Sequence, residues 1–154
     1  MAEVDARRIG EAFPELKGRV TDVITSPPYL DTTNYREDQW LRLWFLGSRS
    51  MTTYARADDR HYASEMYWEF LQASWRGLAP LLAERVRLVV RIGGRRLCKS
   101  ELRDGLVQSL STGLNRSVRL VDTGVSSKVS NTQANAFRGT KTSQLMEHDF
   151  SFAA

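Results

Sequence analysis

VTDVITSPPY, residues 20–29, is the stretch of sequence that decides the fold. Its first six residues are mostly β-branched or apolar and show no helical period, so they predict a β-strand. Pro27 and Pro28 end this strand, because proline has no backbone N–H for a sheet and biases the preceding residue towards extended backbone. A small hydroxyl residue, Ser26, precedes the prolines, and an aromatic residue, Tyr29, follows them. The stretch therefore predicts a strand that stops at a rigid turn carrying one hydroxyl and one aromatic ring.

Helices and strands alternate along the rest of the chain. The predicted helices show apolar residues at helical spacing and cover 37–46, 61–83 and a segment capped by Ser100. The further predicted strands cover 86–92, 117–125 and 146–152. Strands that alternate with helices predict an α/β fold with a mainly parallel sheet, and the last two strands, which have no helix between them, predict an antiparallel hairpin at one edge. No linker marks a second domain, so residues 1–154 are interpreted as one domain.

The composition is that of an ordinary soluble globule. The chain has 154 residues, of which 42% are hydrophobic and 26% charged. No apolar run approaches the roughly 18 residues of a membrane span, and the charged N-terminus has no signal core. A single cysteine, Cys98, excludes an internal disulfide framework and is predicted to be buried or half-buried. Together these features predict a cytoplasmic protein.

The positive charge is concentrated in the second half of the chain. Residues 85–99 contain six basic residues and no acidic one, and the net charge of the whole chain is +4. Such a distribution suits a polyanionic partner such as DNA, although a solvated basic face explains the charge equally well.

The strand followed by Thr25-Ser26-Pro27-Pro28-Tyr29 resembles the motif of S-adenosylmethionine-dependent amino-methyltransferases. The serine form is most similar to that of DNA methyltransferases that act on the N4 amine of cytosine. The resemblance implies part of a Rossmann-like class I methyltransferase fold, whose closing hairpin matches the one predicted here. It also implies that Asp5, in a segment similar to the family's acidic segment, lies with Thr25 and Ser26 near S-adenosylmethionine.

The family's glycine-rich cofactor turn has no counterpart in the sequence. Gly93-Gly94 follows a strand, but two arginines follow it and it lies after the motif rather than before it. The resemblance therefore implies that a second chain or another copy completes the cofactor site, or that the chain is a remnant. A sheet cut beside its catalytic strand also leaves an open edge, which predicts a dimer or a heteromer.

The resemblance assigns catalytic roles to Ser26, Pro27, Pro28 and Tyr29. The exocyclic amine of a base is a weak nucleophile, because its lone pair is delocalised into the ring. By analogy the Ser26 hydroxyl and the Pro27 carbonyl accept the amine protons, and the two prolines set these acceptors in advance. Tyr29 is expected to stack on a base that has left the duplex. A plain strand-ending turn is the alternative interpretation of the same four residues.

Several polar residues are candidates for contact with nucleic acid. Asn34 and Tyr35 follow the motif closely enough to line a base pocket, although a surface turn fits them as well. The other candidates carry donors for phosphates, against the alternatives of a charged sheet edge or a polar loop: Arg91, Arg95, Arg96, Lys128, Arg138 and Lys141. The two histidines, His61 and His148, have no companions at ligand spacing, so no metal site is predicted.

Two tryptophans and three alternative functions complete the expectations. Trp68 and Trp75 lie off the main apolar stripe of their helix, where, if exposed, they would suit contact with a partner subunit. Alternative functions are an RNA guanine-N2 or protein glutamine methyltransferase, whose motifs more often carry Asp or Asn at the position of Ser26. A degenerate methyltransferase fragment that binds nucleic acid or a partner chain is the non-enzymatic alternative.

Overall fold

Five strands and three helices make up the described part of the chain. A computed structural model of the protein describes residues 4–30, 64–94, 97–122, 124–128 and 146–154. The predicted helix at 37–46 lies outside these residues. The helices are α1 (Ile9–Ala12), α2 (Ser64–Leu78) and α3 (Lys99–Leu114). The strands are β1 (Val20–Thr25), β2 (Leu82–Gly94), β3 (Arg119–Asp122), β4 (Ser126–Lys128) and β5 (Met146–Ala153).

The strands form a single mixed sheet in the order β1-β2-β5-β3. β1 and β2 are parallel, and β5 runs antiparallel to β2 on one side and to β3 and β4 on the other. The predicted α/β fold, with parallel strands closed by an antiparallel hairpin, is confirmed. β3 and β4 follow one another along the same edge of β5, and Gly124 separates them with a φ of 79°, a conformation that favours glycine.

Two predicted boundaries of the long helix and the following strand are wrong. Helix α2 ends at Leu78 instead of continuing to residue 83, and a single 3₁₀ turn, Ala79–Leu81, follows it. Pro80 explains this end, because it cannot donate an intrahelical hydrogen bond. Strand β2 then begins at Leu82 and runs for 13 residues, well beyond the predicted 86–92.

The start of α3 also differs from the prediction. Its N-cap is Cys98 rather than Ser100, and the backbone N–H of Cys98 donates to Glu101 Oε2 at 2.7 Å. This is a capping box, in which the glutamate returns to the backbone of the cap residue. Cys98 is exposed rather than buried, because a cap residue lies at the end of the helix, outside the face that enters the core.

The hydrophobic core lies between one face of the sheet and helices α2 and α3. Alternate residues of β2 are buried, while their neighbours Arg87 and Arg91 are exposed on the opposite face. The core cluster includes Val86, Leu88, Val90 and Ile92 of β2, Tyr67 and Leu71 of α2, Leu102, Leu106 and Leu110 of α3, and Phe150 and Phe152 of β5. Strand alternation and helical periodicity thus meet in one core on one side of the sheet.

The two tryptophans of α2 belong to the packing between helices. Trp75 is 5% exposed, and its Nε1 donates to Ser109 Oγ of α3 at 3.3 Å. Trp68 is partly buried against the core and lies directly over Gly105 of α3. Because α3 covers both side chains, the exposure on which contact with a partner subunit was conditional is not found. None of the helices in the described ranges has the length and apolar character needed to cross a bilayer.

Candidate active site

The Ser-Pro-Pro-Tyr turn lies at the carboxyl end of β1 and is held at both ends. Thr25 pairs with Val90 as the last residue of β1, and Leu30 resumes parallel pairing as an isolated bridge to Gly94. Between them, residues 26–29 leave the ladder, as expected where two prolines lack N–H donors. Leu30 is only 2% exposed and belongs to the core. The turn is therefore an excursion from a strand whose two flanks are anchored in the sheet.

Tyr29 is fixed by a hydrogen bond and by a close approach to β2. Its hydroxyl donates to Glu147 Oε1 of β5 at 2.9 Å, and the Ser26 hydroxyl lies 3.4 Å from the Tyr29 hydroxyl oxygen. A Cβ added at Gly93 would lie 3.3 Å from the Tyr29 ring and 2.6 Å from the carbonyl oxygen of Met146. Gly93 thus leaves the space in which the Tyr29 ring and β5 approach β2 together.

The surroundings of Tyr29 favour its neutral form. Burial, together with the nearby Glu147 carboxylate, raises the pKa of Tyr29 to about 12, although the Ser26 hydrogen bond opposes both. The phenol therefore keeps its proton throughout the physiological range and is available as a hydrogen-bond donor.

An ion-pair cluster supports Glu147 from β2. Arg91 donates two hydrogen bonds to Asp149, from Nε at 2.7 Å and from Nη2 at 2.8 Å, and its Nη1 lies 3.9 Å from Glu147 Oε2. The hydrogen bond from Arg91 lowers the pKa of Asp149. Because the pair is partly exposed, it contributes modestly to stability, and its main effect is to order the side chains beside the turn.

A shallow cleft of about 320 Å³, the motif cleft, lies beside these residues. It is lined by Ile24, Thr25, Ser26, Val89, Arg91 and Asp149. Ile24 is 84% exposed, which is unusual for an isoleucine in a strand. The cleft therefore combines an uncovered aliphatic surface with the hydroxyl of the motif.

Sequence reasoning did not identify Glu147 and Asp149 as part of this site, and it considered Arg91 only as a phosphate contact or the flank of a sheet edge. The signal was present in the alternation of residues 146–152, which places Glu147 and Asp149 on the face opposite Phe150 and Phe152. Their pairing with β2 could not be read from that alternation, because register depends on which strands are neighbours.

The structure places the other candidate residues as follows. Asp5 lies before the 3₁₀ turn Ala6–Arg8, and its carboxylate accepts hydrogen bonds from the backbone and guanidinium of Arg7. The Arg7 carbonyl lies against Gly77, near the carboxyl end of α2. Lys128 is exposed on β4 and pairs with Met146, which pairs with Gly94 of β2, so it lies at the same end of the sheet as the motif turn, with β5 and β2 between them. Asn34, Tyr35, Arg95, Arg96, Arg138 and Lys141 lie outside the described residues, and their roles stay predictions.

The described residues fit S-adenosylmethionine only in part. Thr25 and Ser26 both line the motif cleft, whereas the Asp5 carboxylate is bonded to Arg7, which lies beside the carboxyl end of α2. These residues do not form a pocket for the adenosine and methionine parts together. Within the described ranges, no group of three or more His, Cys, Asp or Glu side chains could hold a metal ion. His148 is buried, and its Nδ1 lies 2.9 Å from Ser126 Oγ.

A second cleft, the arginine cleft, lies at the other end of the strands. Its volume is about 650 Å³, and its lining includes Asp22, Arg85, Arg87 and Arg119. Arg87 Nε donates to Asp22 Oδ1 at 2.8 Å, which leaves the other two guanidinium groups as excess positive charge. This cleft lies at the amino ends of β1 and β2, so the length of β1 separates it from the motif turn.

Comparison with known proteins supports the fold. The sequence matches no family model and no curated protein. The structure is similar to that of TTHA0409, a candidate DNA modification methylase from Thermus thermophilus, in its selenomethionine form, with a TM-score of 0.50 and 17% identity. That match covers 96% of this chain and 49% of that chain. A second structure of TTHA0409 has a TM-score of 0.46 and 16% identity, with coverage of 97% and 51%.

The chain thus spans about half the length of the solved structures that it matches. At this level of identity the likeness shows the fold alone. This chain shares an α/β fold with TTHA0409, and in this chain Ser-Pro-Pro-Tyr follows a strand that pairs in parallel.

Proposed function

We propose that the chain is the motif-bearing part of a DNA methyltransferase that modifies an exocyclic base amine, with cytosine N4 as the target. The observation that carries this proposal is the Ser26–Tyr29 turn at the carboxyl end of a parallel strand. In open α/β sheets this is the end where ligands bind. The fold surrounding the turn is similar to that of a candidate DNA modification methylase.

The chemistry follows from acceptors arranged around the amine. The Ser26 hydroxyl and the Pro27 carbonyl accept the two amine protons, which turns the nitrogen lone pair towards the incoming methyl group. Proline fixes φ near about −65°, so these acceptors are ordered before the base arrives. Tyr29 supports the base by stacking, with its ring orientation set by Glu147 at one end and by Gly93 at the side. Positioning is the main contribution of these residues to the rate.

The methyl donor that we propose is S-adenosylmethionine, with Thr25 and Ser26 as part of its surroundings. Most of the cofactor pocket would come from segments outside the described residues. Among the described strands, β1 pairs only with β2, and the exposed Ile24 lies beside its free edge. We propose that a further segment, on a second chain or another copy, adds to the sheet at this edge and completes the site.

Methyl transfer to defined acceptors tests the proposal. The chain is incubated with duplex DNA and methyl-labelled S-adenosylmethionine, both alone and after co-expression with neighbouring reading frames. The nucleosides are then separated by mass spectrometry. We expect labelled N4-methylcytosine in the complemented mixture and its loss in Ser26→Ala. The matched control is Ser127→Ala, at an exposed serine of β4.

Each result of this experiment has a distinct meaning. Label on the N6 amine of adenine would contradict the cytosine assignment but not the reaction class. Label on transfer RNA or on a protein glutamine, with none on DNA, would replace DNA as the substrate. An absence of label with every acceptor and in every mixture would refute the proposed activity.

The arginine cleft favours one second candidate, a methyltransferase-like fragment that binds nucleic acid without modifying it. Arg85, Arg87 and Arg119 supply three guanidinium groups against the single carboxylate of Asp22. Such a fragment would bind duplex DNA with an affinity that falls steeply with salt concentration. It would also show no thermal shift with S-adenosylmethionine in any mixture. Binding that is unchanged in Arg85→Gln and Arg119→Gln would contradict this candidate.

A further inference from the structure

Two hydroxyl groups and one carboxylate form a hydrogen-bonded chain that leads from the motif turn to strand β5. The Ser26 hydroxyl lies 3.4 Å from the Tyr29 hydroxyl, at the long end for a hydrogen bond. The Tyr29 hydroxyl lies 2.9 Å from Glu147 Oε1. Residues 29 and 147 are 118 positions apart in sequence, so the tertiary fold alone creates this chain.

Chemistry determines the direction in which the protons point along this chain. As a carboxylate, Glu147 can only accept hydrogen bonds, so the single proton of the Tyr29 hydroxyl is donated to it. The Tyr29 oxygen then has only lone pairs to offer, and Ser26 must be the donor across the 3.4 Å contact. Ser26 has one proton, and once this proton is directed at Tyr29, the lone pairs of Ser26 remain available to other donors.

We infer that Glu147 is a positioning residue that, through Tyr29, keeps the Ser26 hydroxyl oriented as a hydrogen-bond acceptor for the N–H groups of the substrate amine. The inference rests on the proposed function, since it explains how this turn distinguishes an amine from a group without N–H protons. A serine hydroxyl can either donate or accept, and a donor aimed at the amine nitrogen would occupy the lone pair that attacks the methyl group. A hydroxyl that is fixed as an acceptor leaves the lone pair of the amine free to attack the methyl group.

The structure also provides what keeps Glu147 in place. Its side chain is only 21% exposed, and its residue pairs with Gly93 in the β2–β5 ladder. Arg91 lies 3.9 Å from its second carboxylate oxygen and is itself held by two hydrogen bonds to Asp149. The raised pKa of Tyr29 keeps the phenol protonated, so the Tyr29 hydroxyl can always donate to Glu147.

The test uses the binding of two DNA probes, with no requirement for methyl transfer. Both are short duplexes with the probed base opposite an abasic site, which favours the extrahelical base. One probe carries cytosine, and the other carries N4,N4-dimethylcytosine, which has no amine protons. The ratio of the two dissociation constants, the amine discrimination, reports whether acceptors at the turn recognise N–H groups.

The full chain is used alone or co-expressed with neighbouring reading frames, whichever preparation binds DNA. We expect its dissociation constant to be about tenfold lower for the cytosine probe, a ratio that corresponds to one well-made hydrogen bond. Ser26→Ala should reduce this ratio to about twofold. Glu147→Gln should reduce it similarly, because an amide can donate to Tyr29 as well as accept from it, so that both proton orientations become populated. Tyr29→Phe should match Glu147→Gln, and the double variant should lose no more than either single variant.

Controls separate this inference from the proposed function. Glu84→Gln makes the same chemical change at an exposed residue of β2 and should keep the full discrimination. Circular dichroism and urea unfolding of each variant verify that the fold is retained. If the unsubstituted chain shows discrimination that Ser26→Ala removes but Glu147→Gln retains, the role of Glu147 is refuted while the proposed function stands. If the unsubstituted chain shows no discrimination, the amine-binding function itself is contradicted.

Discussion

Substituting alanine for Gly93 should destabilise the protein through one identifiable clash. A Cβ at this position would lie 2.6 Å from the carbonyl oxygen of Met146, whereas ordinary contact begins at 3.4 Å. The obstacle is backbone from the neighbouring strand, so a rotamer change cannot relieve it, and β5 must move away from β2. The same Cβ would also press against the Tyr29 ring at 3.3 Å. Movement there separates Glu147 from the Tyr29 hydroxyl.

The size of the effect follows from two opposing contributions. Alanine in place of glycine gains roughly 0.5–1 kcal/mol, because less backbone entropy is lost on folding. Overpacking in a well-packed core costs about 1–3 kcal/mol. We therefore expect Gly93→Ala to lower the free energy of unfolding by about 1–2 kcal/mol, measured by urea denaturation followed by circular dichroism.

Gly94→Ala is a matched control at the next residue of the same strand. Among the described residues, a Cβ at Gly94 would meet only the Leu30 carbonyl oxygen, at 3.7 Å, which is ordinary contact. This variant should be neutral or slightly stabilising, so the difference between the two substitutions measures the clash itself. Equal free energies of unfolding for Gly93→Ala and Gly94→Ala would refute the close approach of Met146 and Tyr29 to β2.

Three further predictions concern packing and pH. Gly105→Ala should lower the free energy of unfolding by about 2 kcal/mol, because its Cβ would lie 2.2 Å from the Trp68 ring. In a Trp68→Leu background the same substitution should raise the free energy of unfolding by up to about 1 kcal/mol. Urea denaturation of the unsubstituted chain, the two single variants and the double variant would show this change of sign. Tyr67→Phe should raise the free energy of unfolding by about 1 kcal/mol, because the buried Tyr67 hydroxyl has no hydrogen-bond partner among the described residues, and a lower value would reveal a partner elsewhere in the chain. Burial and the Lys99 ammonium lower the pKa of His148 below 6.5, so the unfolded chain takes up this proton first as the pH falls. Stability should therefore decline below about pH 6.5 in thermal unfolding, less so in His148→Gln, and an identical decline in both proteins would exclude His148 as the cause.

Local patterns in the sequence predicted much of the architecture. The β-branched run before Pro27 and Pro28 is a strand, because its side chains suit extended backbone and the prolines stop the ladder. Residues 146–152 alternate between buried and partly exposed positions, as a strand does, and their antiparallel pairing with β3 confirms the predicted hairpin. The predicted end of α2 was wrong, because the apolar spacing continues past Pro80 into β2. Periodicity alone does not distinguish a buried strand from a helix.

Contacts between distant segments were not predictable in this way. Trp75 continues the i, i+4 series of the buried residues Tyr67 and Leu71, but the sequence did not show its partner, which is α3, where Gly113 leaves room for the Trp75 Cβ. Glu147 had no signal beyond strand alternation, although it holds the Tyr29 hydroxyl. Both cases depend on which elements become neighbours, and neighbours are chosen by the packing of the whole core.

The sequence by itself determined that a strand ends in a Ser-Pro-Pro-Tyr turn within an α/β chain, because proline chemistry and side-chain periodicity act over a few residues. Only the tertiary structure decided what that turn touches. Antiparallel pairing of β5 with β2 brings Glu147 beside Tyr29, and the missing side chain of Gly93 allows the ring to approach. The hydroxyl of Ser26 could have been named from the sequence, but the direction of its proton depends on a carboxylate more than a hundred residues away, since hydrogen-bond polarity is a property of the assembled contact.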